Sequence, residues 1–325
     1  MMKIGFIGAG TVGTALAVSL NQHGYTITAA SSRTFASTRK LSALLPGCQS
    51  FKNPQQVVDA CDFIFITTPD AAIASVASAL QWRPGQAVVH CSGADSREAL
   101  KSAADMDAQT GGFHPLQTFA SIEYAIAGFP GTTFGLEAEG KLLETLKKMA
   151  EDLDGRWVVL KAEDKVLYHA SAVMTSNYLV TLVKTATDLW ARFGVPREEA
   201  LQALLPLLQG TLTNLANVGL PGCLTGPISR GDAGTVYKHL AALEKDAPEI
   251  LSTYQELGLQ TIPLAQAKGR VSPEEAARMR DTLKTRQLLQ RVYRELELET
   301  DPAAAIARKP AEDTAVAPKK PSRIN

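Results

Sequence analysis

Lys3-Ile4-Gly5-Phe6-Ile7-Gly8-Ala9-Gly10-Thr11-Val12-Gly13-Thr14-Ala15-Leu16 opens the chain, and its reading decides the fold. The apolar run Lys3–Ile7 reads as a strand, GxGxxG follows, and Thr11–Gln22 reads as a helix. Gly8 allows a tight turn, Gly10 lets the backbone approach a pyrophosphate, and Gly13 permits close packing of helix on strand. Thr11 and Val12 begin a helix whose first N–H groups have no intrahelical acceptor and suit an anion. Gly8, Gly10, Thr11, Val12 and Gly13 are therefore expected to bind a dinucleotide.

The end of the second strand selects the nucleotide. An acid about 20 positions past the glycines would take a ribose 2′-OH, but the chain reads Ala30-Ser31-Ser32-Arg33-Thr34 there, with Arg39 and Lys40 beyond. Hydroxyls beside a guanidinium suit a 2′-phosphate. Ser31, Ser32 and Arg33 are thus expected to favour NADP. Two further strand ends, Thr67-Thr68-Pro69-Asp70 and Cys91-Ser92-Gly93, are expected to face the same crevice, with Thr68, Pro69 and Ser92 near the nicotinamide half. His90 and Cys91 read as buried structural residues.

Working outward, β-branched runs alternate with helical patterns through the first 160 residues: Lys3–Ile7, Thr26–Ala30, Asp62–Thr67, Ala87–His90, Thr132–Leu136 and Trp157–Leu160 read as strands. Such alternation implies βαβ units and a mostly parallel sheet. From Ala162 the strand pattern stops. Glu163–Arg192 reads as one long helix, Asp232 as an N-cap, and Ser272-Pro273-Glu274-Glu275 as the start of a last helix to about Glu297. The expected organisation is a Rossmann-like α/β domain over 1–161, an all-α domain over 162–299, and a Pro-, Ala- and Lys-rich disordered tail over 300–325.

Composition narrows the functional classes. The 325 residues carry 33 basic and 33 acidic side chains, which removes the usual driver for nucleic acid or anionic membranes. Aromatics at 6% argue against a base-stacking platform. No apolar run approaches the ~20 residues of a membrane span, and the glycine-rich start does not suit a signal segment. Cys48, Cys61, Cys91 and Cys223 are scattered without metal-ligand spacing, so no metal site and a reducing, cytoplasmic setting are expected.

Two histidines stand out. His114, in the Gly111–Phe119 stretch bounded by glycine and proline, reads as an extended loop residue free to enter a cleft. His169 lies on the long helix in Tyr168-His169-Ala170-Ser171-Ala172-Val173-Met174-Thr175-Ser176-Asn177. At about 100° per residue, Ser176 falls within about 20° of His169 and Asn177 about 80° away. For His169 and Asn177, buried packing and a site role remain equally open on the residues alone. Thr225-Gly226-Pro227-Ile228-Ser229-Arg230-Gly231-Asp232 reads as a capped turn in which Arg230 could clamp a carboxylate.

Together the Gly8–Gly13 fingerprint, Gly112-Phe113-His114-Pro115-Leu116-Gln117, His169 through Asn177, and Leu224 through Asp232 resemble a family that joins a Rossmann-like NADP-binding domain to a C-terminal helical domain of unknown function. That family is related to 6-phosphogluconate dehydrogenase-like reductases, among them pyrroline-5-carboxylate and ketopantoate reductases. The resemblance implies a C-terminal domain of the 6-phosphogluconate dehydrogenase type, a homodimer, and reduction of a small 2-oxo acid by hydride transfer in the cleft between the domains. His169, His114 and Asn177 would be the catalytic residues, and Arg230, Ser92, Gln117 and Ser176 would contact the carboxylate-bearing substrate. One departure matters: where ketopantoate and β-hydroxyacid enzymes carry a lysine one turn before the asparagine, this chain has Val173. A pyrroline-5-carboxylate reductase, or an NADP-binding sensor without turnover, are the alternatives.

Overall fold

A computed structural model describes residues 2–284. Two compact units result, Met1–Val180 and Thr181–Asn325. The first is built on one sheet with the strand order β3-β2-β1-β4-β5-β6-β7-β8. Its strands are β1 (Lys3–Ile7), β2 (Thr26–Ser31), β3 (Gln49–Phe51), β4 (Phe63–Ile66), β5 (Ala87–His90), β6 (Gln109–Pro115), β7 (Thr133–Glu137) and β8 (Arg156–Val159). Its helices are α1 (Thr11–Gln22), α2 (Phe35–Ala43), α3 (Gln55–Ala60), α4 (Asp70–Ser78), α5 (Lys101–Ala104), α6 (Ile122–Ala127), α7 (Gly140–Asp152) and α8 (Lys165–Thr175). Neighbouring strands pair parallel, except β6 with β7, which is antiparallel.

Alternation along the strands divides the core between the two sheet faces. Phe6, Phe63, Phe65, Val89, Phe113, Phe134 and Leu136 pack on one face, while Ile7, Ile64, Ile66 and Val88 pack on the other. The first face carries a row of rings: Phe6–Phe65 centroids lie 5.1 Å apart, Phe65–Phe113 5.9 Å and Phe113–Phe134 4.6 Å. Each such pair contributes about 0.5–1.5 kcal/mol beyond its burial. Because Phe113 anchors β6 on this face, its neighbour His114 is directed to the opposite one.

The turn between β1 and α1 depends on two absent side chains. Gly8 has φ +116°, and a Cβ there would stand 2.6 Å from the Thr67 backbone. A Cβ on Gly13 would stand 2.4 Å from both the Gly8 carbonyl oxygen and Thr67 Oγ1, and that hydroxyl donates to the Gly8 oxygen at 2.7 Å. A Cβ on Gly10, by contrast, would meet nothing within 4 Å.

Helix α9 (Asn177–Ala191) leads into the second unit, which contains α10 (Arg197–Val218), α11 (Ala233–Asp246), α12 (Pro248–Ala267) and helical residues 273–284. Val236 and Leu240 of α11, Leu251 and Ile262 of α12, Ile228, Met279 and Leu283 form its core. Asp232 caps α11 by accepting from the Thr235 N–H at 2.9 Å. Ser272 and Glu275 form a reciprocal capping box, with the Ser272 N–H donating to Glu275 Oε2 and the Glu275 N–H to Ser272 Oγ. The α10 leucines are largely unburied: Leu205, Leu207, Leu212 and Leu215 are exposed, and Ala200 is the buried residue of that helix. No helix among the described residues is long and apolar enough to cross a membrane.

The α/β sheet followed by helices matches the sequence reading, with three differences. The segment around His114 is strand β6 rather than a loop, because Gly111, Gly112 and Phe113 pair with β5 and β7. The long helix is two helices, broken at Ser176 (φ −111°, ψ −72°). The first compact unit runs past residue 161 to Val180, because Lys165, Tyr168 and His169 of α8 pack against residues of β5–β7 and the turn after β5. The expected tail over 300–325 and the last helix beyond residue 284 lie outside the described residues.

Gly13→Ala is expected to cost about 1–3 kcal/mol by overpacking, whereas Gly10→Ala should stay within about 0.5 kcal/mol of wild type. Urea unfolding of the two variants checks this, and equal costs would refute the packing argument.

Candidate active site

Strand register brings the expected residues to one edge. Ile7 pairs with Ser31 and Ile66, and Ile66 pairs with His90, so the residues that follow these strands emerge side by side at the carboxyl ends of β1, β2, β4 and β5. The strand order reverses between β1 and β4, the place where open α/β sheets bind ligands. Gly8, Gly10, Thr11, Val12 and Gly13, then Ser31, Ser32 and Arg33, then Thr68 and Pro69, then Ser92 all lie along this crevice. Three features suit a dinucleotide there. Helix α1 has Gly10 as its N-cap, with no side-chain capping bond and no acid in the first turn. Space stands open over Gly10. Thr68 Oγ1 is buried without a hydrogen-bond partner.

Ser92 is more constrained than its sequence position suggests. Its hydroxyl lies 2.9 Å from Asp70 Oδ2 and 3.1 Å from Asp95 Oδ2, and it accepts from the Asp95 N–H at 3.0 Å. One hydroxyl proton between two carboxylates leaves Ser92 occupied in shaping the turn. His90 is structural: Nδ1 accepts from the Ser92 N–H, so Nε2 carries the proton and donates to the Ser96 carbonyl. Burial lowers its pKa to about 4. Burial likewise pushes the Cys91 thiol up to about 12, which removes it as a nucleophile at neutral pH.

Next to this turn the two singled-out histidines meet. His114 and His169 stand edge to face with centroids 6.0 Å apart. They crowd the Gly93 backbone, where a Cβ would lie 2.5 Å from His169 Cδ2 and 2.8 Å from His114 Nε2. His114 Nδ1 is 2.9 Å from the Tyr168 hydroxyl. Burial, then the charges of His169, Lys165 and His90, lower the His114 pKa to about 4. Burial raises the Tyr168 phenol to about 12. At neutral pH the pair is an uncharged imidazole on an un-ionised phenol.

A cavity of about 190 Å³ opens from these rings and is lined by His114, Gln117, His169, Val173, Ser176 and Asn177 among others. Five of the expected catalytic and substrate residues therefore share one space. Gln117 reaches it with its amide already committed, since Nε2 donates to the Gly128 carbonyl and Oε1 accepts from the Thr118 N–H. Arg230 belongs to the second unit, where it ends a short 3-10 helix (Ile228–Arg230) beside the capping Asp232.

Sequence reasoning missed three residues here: Glu137, Lys165 and Tyr168. A signal existed for the last two, because Lys165, Tyr168 and His169 share one helix face at i, i+3 and i+4. Another was glycine inside strands, at Gly111, Gly112 and Gly135, which marks close approach by another group.

Comparison with known proteins agrees with this architecture. Residues 1–115 match a Rossmann-like domain, and residues 132–261 match a domain of unknown function, DUF2520. No curated protein matches the chain. Among solved structures, a putative NADP oxidoreductase from Bacteroides fragilis is 24% identical, with TM-score 0.65, covering 82% of this chain and 97% of that one. A reductive aminase from Aspergillus terreus, in complex with NADPH and ethyl levulinate, is 19% identical with TM-score 0.59 and coverage of 86% and 98%. A 1-pyrroline-5-carboxylate reductase from Streptococcus pyogenes is 18% identical with TM-score 0.57 and coverage of 82% and 98%. At these identities the likeness is one of fold. The chain thus carries a stretch that matches a Rossmann-like domain, followed by one that matches DUF2520.

Proposed function

We propose that the chain is an NADP-dependent oxidoreductase that reduces a small carboxylate-bearing carbonyl compound, a ketopantoate-like 2-oxo acid being the first candidate. One observation carries the reading. The turn Cys91–Gly93 borders the nucleotide crevice through Asp70 at the start of α4, and it touches both His114 and His169. A dinucleotide crevice and a histidine-lined cavity are thus joined by a single turn. The fold likeness to an NADPH-bound reductive aminase supports the same class.

When bound, NADPH supplies the hydride. The chain's own residues then hold the substrate and manage the proton. Gly10 and the α1 N-terminus receive the pyrophosphate, and Ser32 and Arg33 receive the 2′-phosphate. With the Tyr168 O–H donating to His114 Nδ1, the His114 proton sits on Nε2, which faces the Gly93 side of the cavity. A neutral imidazole is a hydrogen-bond donor to developing negative charge rather than an imidazolium acid, so His114 polarises and His169 delivers the proton. Asn177 and Ser176 orient the substrate in the cavity they line with the two histidines. Val173 contributes an apolar wall where the related carbonyl reductases carry a lysine.

A second reading is reduction of a C=N bond, as in the named neighbours, a reductive aminase and a 1-pyrroline-5-carboxylate reductase. An iminium needs no proton on a developing alkoxide, which suits Val173 at that position. NADPH oxidation followed at 340 nm against panels of 2-oxo acids and cyclic imines separates the two; tight NADPH binding with no turnover on either panel would leave a sensor. The protein is further proposed to act as a homodimer. A 22-residue helix such as α10 with leucines exposed along its length is not a stable surface helix in water without a covering partner.

Arg33→Ala should weaken NADPH binding about 10- to 100-fold while leaving NADH nearly unchanged, and fluorescence titration of both cofactors measures it. His169→Ala is expected to lower kcat about 100- to 1,000-fold and His114→Ala less; turnover intact in both variants would refute the assignment. The neutral histidines also set the acid stability. With folded-state values near 4, below the unfolded value of about 6.5, His90 and His114 bind protons first in the unfolded chain. Stability present above about pH 6.5 should therefore fall as pH drops toward 4, by up to about 3 kcal/mol per histidine. Urea midpoints across that range should show a shallower fall in His114→Gln.

A further inference from the structure

The middle of the sheet holds a charge that the reaction described above does not use. His90, Gly112 and Glu137 are register partners across β5, β6 and β7, and alternation places them on the face opposite Phe113. Gly112 leaves a gap between two side chains, and the Lys165 ammonium occupies it: a Cβ on Gly112 would stand 3.0 Å from Lys165 Nζ. The Lys165 side chain is 1% exposed. It donates to the Ser92 carbonyl at 3.2 Å and lies 3.5 Å from Glu137 Oε2, which also accepts from the Arg97 N–H at 2.9 Å. One turn further along α8, Tyr168 lies over Gly135, where a Cβ would be 2.9 Å from its hydroxyl, and reaches His114.

We propose that Lys165 is a positioning residue for this site: its buried ammonium ties the Cys91–Gly93 turn to Glu137 of β7 and so sets how closely Gly93 stands to His114 and His169. The inference deepens the reductase reading and rests on it. The tie is to a carbonyl oxygen one residue from Gly93, and without it that oxygen would be buried with one partner fewer. The charge acts on the same ring. His114 is faced by Lys165, Tyr168 and His169 of α8 and by His90 of β5, and Lys165 is faced by Glu137, Asp95, Cys91 and His90. Among these the cation adds to burial in keeping His114 unprotonated, while burial lowers the lysine's own pKa against the opposing pull of Glu137.

Full-length wild type, Lys165→Met and Lys165→Met/Glu137→Gln provide the test. The double variant leaves no uncompensated charge in the interior, so it preserves the comparison if the single variant does not fold. Ring NMR signals of His114, assigned by their loss in His114→Gln, are followed against pH, and the Gly93 amide is followed at neutral pH. Both variants are expected to titrate His114 at a higher pH than wild type and to shift the Gly93 amide. The kcat for a 2-oxo acid should fall at least about tenfold, with NADPH affinity within about threefold. An unmoved His114 titration with an unshifted Gly93 amide overturns the proposal, including when kcat falls. Both NMR readouts need no substrate. A wild-type chain that oxidises no NADPH with any carbonyl or imine compound therefore defeats the reductase reading without deciding the role of Lys165.

Discussion

The carboxyl edge of this sheet is organised by side chains that are missing. Gly13 on α1 comes so close to the Gly8 carbonyl and Thr67 that a single methyl would collide with backbone. That approach aims the α1 N-terminus across the ends of β1 and β4. The same device recurs around the histidines: Gly93 leaves room for two rings, Gly112 for an ammonium and Gly135 for a phenol. Close-packed interiors have no slack to absorb an extra methyl at such points. The crevice at the carboxyl edge and the histidine-lined cavity are therefore shaped by one constraint applied several times along neighbouring strands.

Electrostatics follows from that packing. A ring pressed against backbone loses its water, and desolvation disfavours its charged form. His90 and His114 are both held neutral in this way, while Lys165 keeps a carboxylate and a carbonyl as partners. The region thus combines uncharged donors with one compensated cation. Such an arrangement favours negative charge appearing on a neighbouring atom, because fixed N–H and O–H dipoles need no reorganisation to meet it.

Much of this could be read from the chain alone. The strand–GxGxxG–helix opening, the absence of an acid after β2, and the two further strand-end segments after β4 and β5 follow from local patterns that act over a dozen residues. The capping groups at Asp232 and Ser272–Glu275 were equally local, and both form as their residues dictate. What could not be read were contacts across sequence distance. Strand β6 hides behind two glycines and a proline, since its strand character comes from pairing with β5 and β7 rather than from propensity. Lys165 reads as an ordinary helix-start lysine until Glu137 and the Ser92 carbonyl are beside it. Ser176 satisfies the helical period and still breaks the helix.

The antiparallel step from β6 to β7 gives these distant contacts a common cause. With β7 reversed and β8 parallel to it, the chain leaves β8 toward the amino edge of the main sheet, so α8 runs back in the direction of β6. Four residues of helix rise about 6 Å and two residues of strand about 6.6 Å. The spacing Lys165 to His169 therefore keeps step with Gly112 to His114, and each α8 side chain meets the strand position that can seat it. In a sheet parallel throughout, β8 would deliver the chain at the carboxyl edge, and the helix that follows would descend past β6 in the opposite sense. Lys165 would then lie over His114 and His169 over Gly112, and Glu137, which ends β7, would lose the register it shares with Gly112. The reversed strand pair is thus what sets Lys165 over Gly112 and beside Glu137, with His169 one turn further on beside His114.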